Sequence, residues 1–415
     1  MKSRLLPLWL AVVTTVHAAD DASVDLATRS RLVGETREAR TDGPFAPALP
    51  LTSFGRDRAR FEQEVRGHAG PLKLLLTATE SGQQGQPAAG KLLANEAYVD
   101  FGSGENRFSA GKKILSGDVG YGFRPIDVLQ REVRLLALPP ALEGIASLIY
   151  ERFTPDAAWS LVWANPGHSR RGDSRDDGSL ALRAYRRWQG ADLHGVARAS
   201  ARFGAELGAA ISAVPHESLE LHASFLAQRR GERLEPLAES SSIAVLLTPD
   251  QAVHAVTIDA PRKLLGGLTW TFEGGWSLLA EAWWDGTAPT AGDWSTLARE
   301  AARRSALQGL PGVPAAAING SIAASMRLFE APVRTRRGQL GRIAWTDPAA
   351  SGWSGSFDLL RTPEDGGWVA TAAAAWEGDR VRLDAGLRRF GGKAESSYRL
   401  MPEQRVLFAG VSYAF

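Results

Sequence analysis

The sequence predicts an all-β protein: a single transmembrane antiparallel β-barrel of about 18 strands, within a range of roughly 16–20, with long loops at one rim and one loop folded into the lumen. Three observations predict it. Segments of about ten residues alternate apolar and polar side chains at period two, many times over. After the N-terminal segment, no stretch approaches the roughly 18 consecutive apolar residues that a membrane helix needs. The chain ends on an alternating segment, 406–415, whose last residue is aromatic.

At the N-terminus, Lys2 and Arg4 precede an apolar run from Leu5 to Val16, and Val16-His17-Ala18 supplies small residues where a signal peptidase reads. This is the pattern of a secretory signal peptide cleaved after Ala18. Its apolar core of about a dozen residues is shorter than the roughly 20 of a membrane-spanning helix. The expected organisation is a leader, 1–18, followed by the barrel, 19–415. Strand signals begin at Val24, so nothing between Ala19 and Val24 can form an N-terminal plug domain.

Composition excludes several classes. With 48 Lys+Arg against 46 Asp+Glu the net charge is +2, so no bulk field points to nucleic acid. The absence of cysteine rules out disulfides and thiolate metal sites, and no sequence feature calls for a cofactor.

The most regular segment is 191–203. Ala191, Leu193, Gly195, Ala197, Ala199, Ala201 and Phe203 share one face; Asp192, His194, Val196, Arg198, Ser200 and Arg202 share the other. The first face suits lipid and the second a polar lumen, so Ala199→Arg is expected to be costly and Arg198→Ala tolerated. Similar alternation marks 24–33, 219–228 and 368–376, the last with Trp368 and Trp376 at its two ends. Paired Trp of this kind suit interfacial girdles, and the 13 Trp as a set fit that role better than a soluble core.

Further strands are read at 58–69, 72–79, 95–101, 107–112, 145–153, 159–164, 180–188, 206–213, 266–273, 276–285, 318–328, 339–346, 353–360, 381–390 and 406–415. The total of about nineteen is odd, whereas bacterial single-chain barrels have even numbers, which gives about 18. The pattern is least decisive at 242–259. Tight turns at 69–71, 102–104, 154–156 and 215–216 contrast with long connections at 41–56, 115–142, 165–178 and 228–241. One connection reads as helix: Ser295 can cap a run in which Leu297, Ala301, Arg304 and Leu307 recur at helical spacing before Gly309 and Pro311.

The terminal alternation of Leu407, Ala409, Val411, Tyr413 and Phe415 resembles the closing strand of bacterial outer-membrane barrels. That resemblance implies placement in the outer membrane of a Gram-negative-type envelope, amid its lipid, with Phe415 read by the barrel-assembly machinery. A second likeness lies in Asn95-Glu96-Ala97-Tyr98-Val99-Asp100-Phe101 followed by the Gly-rich run from Gly111 to Val128 with its Pro125-Ile126-Asp127 turn. This arrangement resembles the alginate-export-like group of outer-membrane barrels and implies a loop that folds toward the pore. In that constriction loop Gly117, Gly120 and Gly122 permit tight backbone, and Arg124 and Asp127, with Arg131, Glu132 and Arg134, supply charge. Walker-type Gly-Lys-Ser/Thr order is missing, which argues against a phosphate loop.

Arginines recur on the faces expected to point inward. Arg29, Arg31, Arg58, Arg60, Arg198 and Arg202 are the candidate path for an anionic solute; Arg66, Arg183, Arg187, Arg327, Arg342, Arg380, Arg382 and Arg388 join them in the wider set. Such charges can merely pair across strands for about 0.2–1 kcal/mol each. Unpaired, they form a ladder, since guanidinium grips carboxylate or phosphate through two parallel hydrogen bonds. Catalytic patterns are lacking: there is no H-E-x-x-H and no G-x-S-x-G, and His168 with Asp173, Ser174 and Asp176 reads as a solvated loop. The chain is therefore expected to be no enzyme but a porin-like or exporter-like channel for small or polymeric anions. The alternative is a non-conducting structural or assembly barrel, blocked by the loop at 115–142, that anchors a partner.

If the last strand both signals and seals, deleting Phe415 or replacing it with a charged residue lowers the yield of heat-modifiable folded protein in the outer membrane. Normal yield would count against that role.

Overall fold

The computed structural model describes residues 24–51, 55–130, 132, 141–166, 177–237, 242–249 and 252–415. The expected leader, the group around His168, and Arg131 and Arg134 lie outside them.

The strands are β1 (Val24–Ala39), β2 (Asp57–Ala69), β3 (Leu72–Gln83), β4 (Gln86–Ser103), β5 (Asn106–Lys113), β6 (Ile145–Phe153), β7 (Ala157–Ala164), β8 (Ser179–Trp188), β9 (Ala191–Ser200), β10 (Gly204–His216), β11 (Leu219–Gln228), β12 (Arg230–Pro236), β13 (Val253–Asp259), β14 (Arg262–Thr271), β15 (Trp276–Asp285), β16 (Arg337–Thr346), β17 (Trp353–Thr362), β18 (Gly367–Glu377), β19 (Val381–Gly391) and β20 (Glu403–Ala414). All but β12 and β13 form one 18-stranded antiparallel sheet. It closes because β1 pairs with β2 on one side, Arg29 opposite Glu64, and with β20 on the other, Arg29 opposite Ala414.

Facing follows the alternation. On β9, Ala197 and Ala199 are exposed while Val196, Arg198 and Ser200 are buried. Leu32, Leu180 and Leu407 are each 50% exposed on the outer surface, where the alternation of a membrane barrel places its lipid-facing side chains. Trp159, Trp188, Trp270, Trp276 and Trp353 ring the short-turn end of that surface, and Trp163 stands nearer the other end. Two Trp depart from the girdle reading. Trp283 points inward and is buried, and Trp294 is fully buried outside the barrel wall, donating Nε1–H to Arg334 O at 2.5 Å.

Turns at the first end are tight. Gln189 and Gly190 both take positive φ, 48° and 81°, in the two-residue link between β8 and β9. Both central residues of a type I′ hairpin turn need that region, and glycine enters it without steric cost. The opposite rim carries the long connections at 114–144, 229–261 and 286–336.

The strand read at 318–328 is helical instead. Helix α1 spans Ile243–Leu246, α2 spans Ala291–Ala306 and α3 spans Ala315–Ser325. The sequence Ala-Ala-Ala-Ile-Asn-Gly-Ser-Ile is apolar on most sides, so period two and period 3.6 both fit it; the alanines and the preceding Pro314 decide for helix. Removing that segment leaves the eighteen barrel strands. The ambiguous 242–259 does hold a strand, β13, but it pairs with β12 as a separate two-stranded ribbon, and β12 sits in a stretch read as loop. Helix α2 starts before Ser295. Its cap is Thr290, whose Oγ1 accepts from Asp293 N at 3.1 Å while Asp293 Oδ2 accepts from Thr290 N at 2.7 Å, a capping box. Arg327 is accordingly in a 3-10 turn, Met326–Glu330, not on an inward strand face, and Arg202 and Arg380 fall in turns beyond β9 and β18.

The long connections share a core of their own. Phe45 and Ala48 from the β1–β2 link, Val253 of β13, Trp294, Leu297 and Ala301 of α2, Ile318 and Ile322 of α3, Leu328, and Leu400 from the β19–β20 link are buried together. Arg304, also buried, donates from Nε to Leu246 O and Ser321 Oγ, both at 3.0 Å. Above the β1/β20 seam, Arg40 N donates to Pro402 O at 2.7 Å and Arg40 Nη2 to Phe390 O at 3.0 Å.

Because Ala199 faces lipid, Ala199→Arg should destabilise the folded barrel by about 2–4 kcal/mol if it lies near the bilayer midplane, read by denaturant titration in lipid vesicles. An unchanged midpoint would place Ala199 away from the hydrocarbon.

Candidate functional site

The connection between β5 and β6 leaves the wall and enters the barrel. Its neck is fixed by side chains that accept or donate to its backbone. Glu96 Oε1 accepts from Ile114 N at 3.0 Å, Gln130 Oε1 accepts from Leu115 N at 2.8 Å, and Gln130 Nε2 donates to Glu143 O at 2.7 Å. Leu115 and Leu129 pack on Ile145, Ile149, Val162 and Ala181 of the near wall.

Two carboxylates then fold the loop on itself. Asp118 accepts from Ile126 N and Val119 N, both at 2.7 Å, and Asp127 accepts from Gly117 N at 2.6 Å. Burial pushes the Asp118 carboxyl up to about 6, against the downward pull of those amide hydrogen bonds. Asp127 is raised too, chiefly by burial, although Arg124 Nε stands 2.8 Å from its Oδ2. Arg124 and Asp127 thus form a mostly buried staple within the loop, at the edge of a cavity that Arg198 and Arg202 also border.

The tip reaches the far wall. Phe123 stacks on Trp283 at 5.6 Å between ring centroids and packs with Leu265 and Leu340. Glu281 on β15 accepts from Tyr121 N at 2.6 Å and Gly122 N at 2.7 Å. Gly120 has to be glycine for this approach, since a Cβ there would stand 2.0 Å from Phe123 O and 2.5 Å from Leu265. Ile126 meanwhile packs on Val196 and Ala210. With contacts on β6–β10 and on β14–β16, the loop crosses the lumen as expected.

The six arginines of the expected anion path are not brought together. Arg29 and Arg31 face Glu64 and Glu62 at 2.9 and 3.8 Å, and Arg60 lies 3.1 Å from Glu62. Arg58 shares their side of β2. Arg202 is at the rim, paired with Glu232 of β12. Arg198 does face inward, but its side chain is 3% exposed and sits between Asp177 at 2.7 Å and Glu206 at 2.6 Å, themselves 0% and 1% exposed. This burial argues against the expectation that Arg198→Ala is tolerated, because the change would strand two buried carboxylates.

Three cavities of similar size remain: one of about 270 Å³ bordered by Arg124, Asp127, Arg198 and Arg202, one of about 260 Å³ bordered by Arg29 and Arg31 with Glu62 and Glu64, and one of about 300 Å³ between the loop and β16–β20 with β1. The charged lining of the last is Arg31, Arg342, Arg382 and Arg388 with Asp358 and Asp384, and Arg31 and Arg382 also pair with Glu62 and Glu377 at 3.8 and 2.6 Å. Tyr121, Leu340, Leu360 and Phe408 add apolar surface. Arg342 Nη1 donates to Tyr121 Oη at 3.0 Å and lies 3.1 Å from Asp358. Arg388 donates from Nε to Thr371 Oγ1 at 3.0 Å and has no carboxylate partner among the described residues. Arg342, Arg382 and Arg388 could be placed inward by period two; that they converge, and that Tyr121 meets them, could not. No group of three or more His, Cys, Asp or Glu among the described residues could hold a metal ion.

No known protein family and no curated protein matches the sequence. Solved structures match the fold. Pseudomonas aeruginosa OccK8 (OprE) aligns with a TM-score of 0.55 at 10% identity, covering 94% of this chain and 98% of its own. OpdK from the same organism, in a structure with vanillate, gives 0.52 at 10% identity over 94% and 98%. OccD3 (OpdP), also from that organism, gives 0.53 at 7% over 95% and 93%. These are outer-membrane porin barrels, and at such identities the likeness is one of fold.

Two expectations follow from the buried charges. Arg198→Ala should cost about 3–5 kcal/mol in folding stability, measured by denaturant titration, whereas a loss below about 1 kcal/mol would show the triad to be solvated. Asp118 has its folded value, about 6, above the ordinary 3.8. Its contribution is then fully present below about 3.8 and lost as pH rises through 6, so loop amides should exchange more slowly at pH 5 than at pH 7 after correction for intrinsic rates. Asp118→Asn should remove that difference; a wild-type loop with equal protection at both pH values would refute it.

Proposed function

We propose that the chain is an outer-membrane porin-like channel of a Gram-negative-type envelope, passing anionic solutes through an Arg-rich lumen. The observation that carries the reading is Arg388, which borders the cavity beside the loop with no carboxylate within ion-pair distance among the described residues, next to the guanidinium groups of Arg31, Arg342 and Arg382. Charge arranged around a narrow passage selects ions by sign at close quarters, and guanidinium adds bidentate recognition of carboxylate or phosphate. The cavity's size favours small anions. The alginate-export-like resemblance supports passage of polymeric ones as well. OpdK, whose structure holds vanillate, an aromatic carboxylate, is a fold neighbour consistent with the former. In this reading the leader directs export, Phe415 engages the barrel-assembly machinery, and the loop residues Gly117, Gly120, Gly122, Arg124 and Asp127 form the constriction. The chain is a conduit and not a catalyst.

Changing Arg342, Arg382 and Arg388 together to Gln should shift the reversal potential of a planar-bilayer current toward cations, and Arg29, Arg31, Arg58 and Arg60 should contribute less because Glu62 and Glu64 neutralise that wall. Shortening 117–127 should raise conductance without that shift. High salt should shrink the charge effect and leave the loop effect. A purified barrel that conducts nothing, intact or shortened, would favour the structural alternative.

A further inference from the structure

The tip of the loop is held at one point by a side chain from the opposite wall. The Glu281 side chain is 0% exposed, and its two oxygens accept separately from the adjacent amides of Tyr121 and Gly122. Successive backbone N–H groups pointing the same way form an anion-binding nest. Here an in-chain carboxylate fills that nest. His222 of β11, 3% exposed, supplies the third contact, with Nε2 at 3.1 Å from Glu281 Oε1.

Between β11 and β15 runs β14, whose inward residue at this level is Gly267. A Cβ on Gly267 would stand 2.3 Å from His222 Nε2 and 2.8 Å from Glu281 Cγ. Three adjacent strands therefore contribute an acceptor, a donor and the space for them to meet. The contact also orients the solute-facing side of the loop. With the Tyr121 amide fixed, its ring lies toward Arg342, at 5.5 Å from the guanidinium carbon, and its hydroxyl accepts from Arg342 Nη1. Tyr121 and Arg342 both border the cavity.

We infer that Glu281, with His222 and Gly267, is a latch that positions the constriction: it holds Tyr121 against Arg342 and so fixes the width of the passage. The role rests on the channel reading only for its electrical consequence, because the latch itself is a property of the loop.

Amide exchange of the purified, refolded wild-type and variant barrels tests it independently of conduction. In Glu281→Ala the amides of Tyr121 and Gly122 should exchange at least about tenfold faster than in wild type, while those of β14 and β16 stay protected. Glu281→Gln, nearly isosteric, keeps one acceptor oxygen and should expose one of the two amides. Gly267→Ala should loosen both by displacing His222 and Glu281. In planar bilayers, Glu281→Ala should turn a single current level into several interconverting ones, with Glu281→Gln between. Unchanged protection of both amides in Glu281→Gln or in folded Glu281→Ala overturns the latch, as does a single unaltered current level in a conducting Glu281→Ala barrel. A wild-type barrel that carries no current removes the channel reading alone, and the exchange result then decides the latch by itself. Should Glu281→Ala fail to fold, the Gln variant decides.

Discussion

In hydrocarbon no water is present to satisfy a backbone amide, so a sheet that crosses the membrane cannot have an edge. Every other feature of this chain is arranged around that constraint. The 18 strands return on themselves through the β1/β20 pairing, which leaves each strand one lipid face and one lumen face. Short turns suffice at one end because successive strands are neighbours. The freedom left over is spent at the other rim, where connections as long as 286–336 can fold without disturbing the ring.

The same constraint explains where irregular backbone is allowed. Residues 114–130 do not form strand, yet they lie within the barrel, because the wall shields them from lipid and supplies partners: Glu96 and Glu281 accept from loop amides, and Gln130 within the segment accepts from Leu115 N. The charges divide by surroundings. Arg198 and Arg124 are buried and matched by acids, so they hold structure together. Arg31, Arg342 and Arg382 border open space while paired with Glu62, Asp358 and Glu377, and Arg388 borders it with no carboxylate within ion-pair distance among the described residues.

Barrel strands were legible in the sequence because a two-sided environment writes itself as period two, and all eighteen left that mark. The segment 318–328 misled because an Ala-rich apolar run satisfies both periods. The ribbon of β12 and β13 escaped because it packs on other loops and has no lipid face to impose alternation. For the site, period two could assign Arg198 to the inside, but inside is not the same as wet. Asp177 and Glu206, which bury it, come from a connection and from the next strand, and their convergence is a matter of three-dimensional closure. The pairing of Glu281 with Tyr121, 160 residues apart, is of the same kind.

The shared core above the rim draws on connections from both ends of the chain, Phe45 and Ala48 near the start and Leu400 near the finish. Arg40 likewise spans the junction of first and last strands through Phe390 and Pro402. Such a core cannot assemble in a growing, open sheet, since its parts stand on opposite sides of an unclosed gap. It becomes possible only once the ring is complete, and it then makes reopening the seam cost the burial of Trp294, Ile318 and Ile322 as well as a row of backbone hydrogen bonds. The surface connections thus act as a clasp across the seam, tying closure of the cylinder to burial of the core above it.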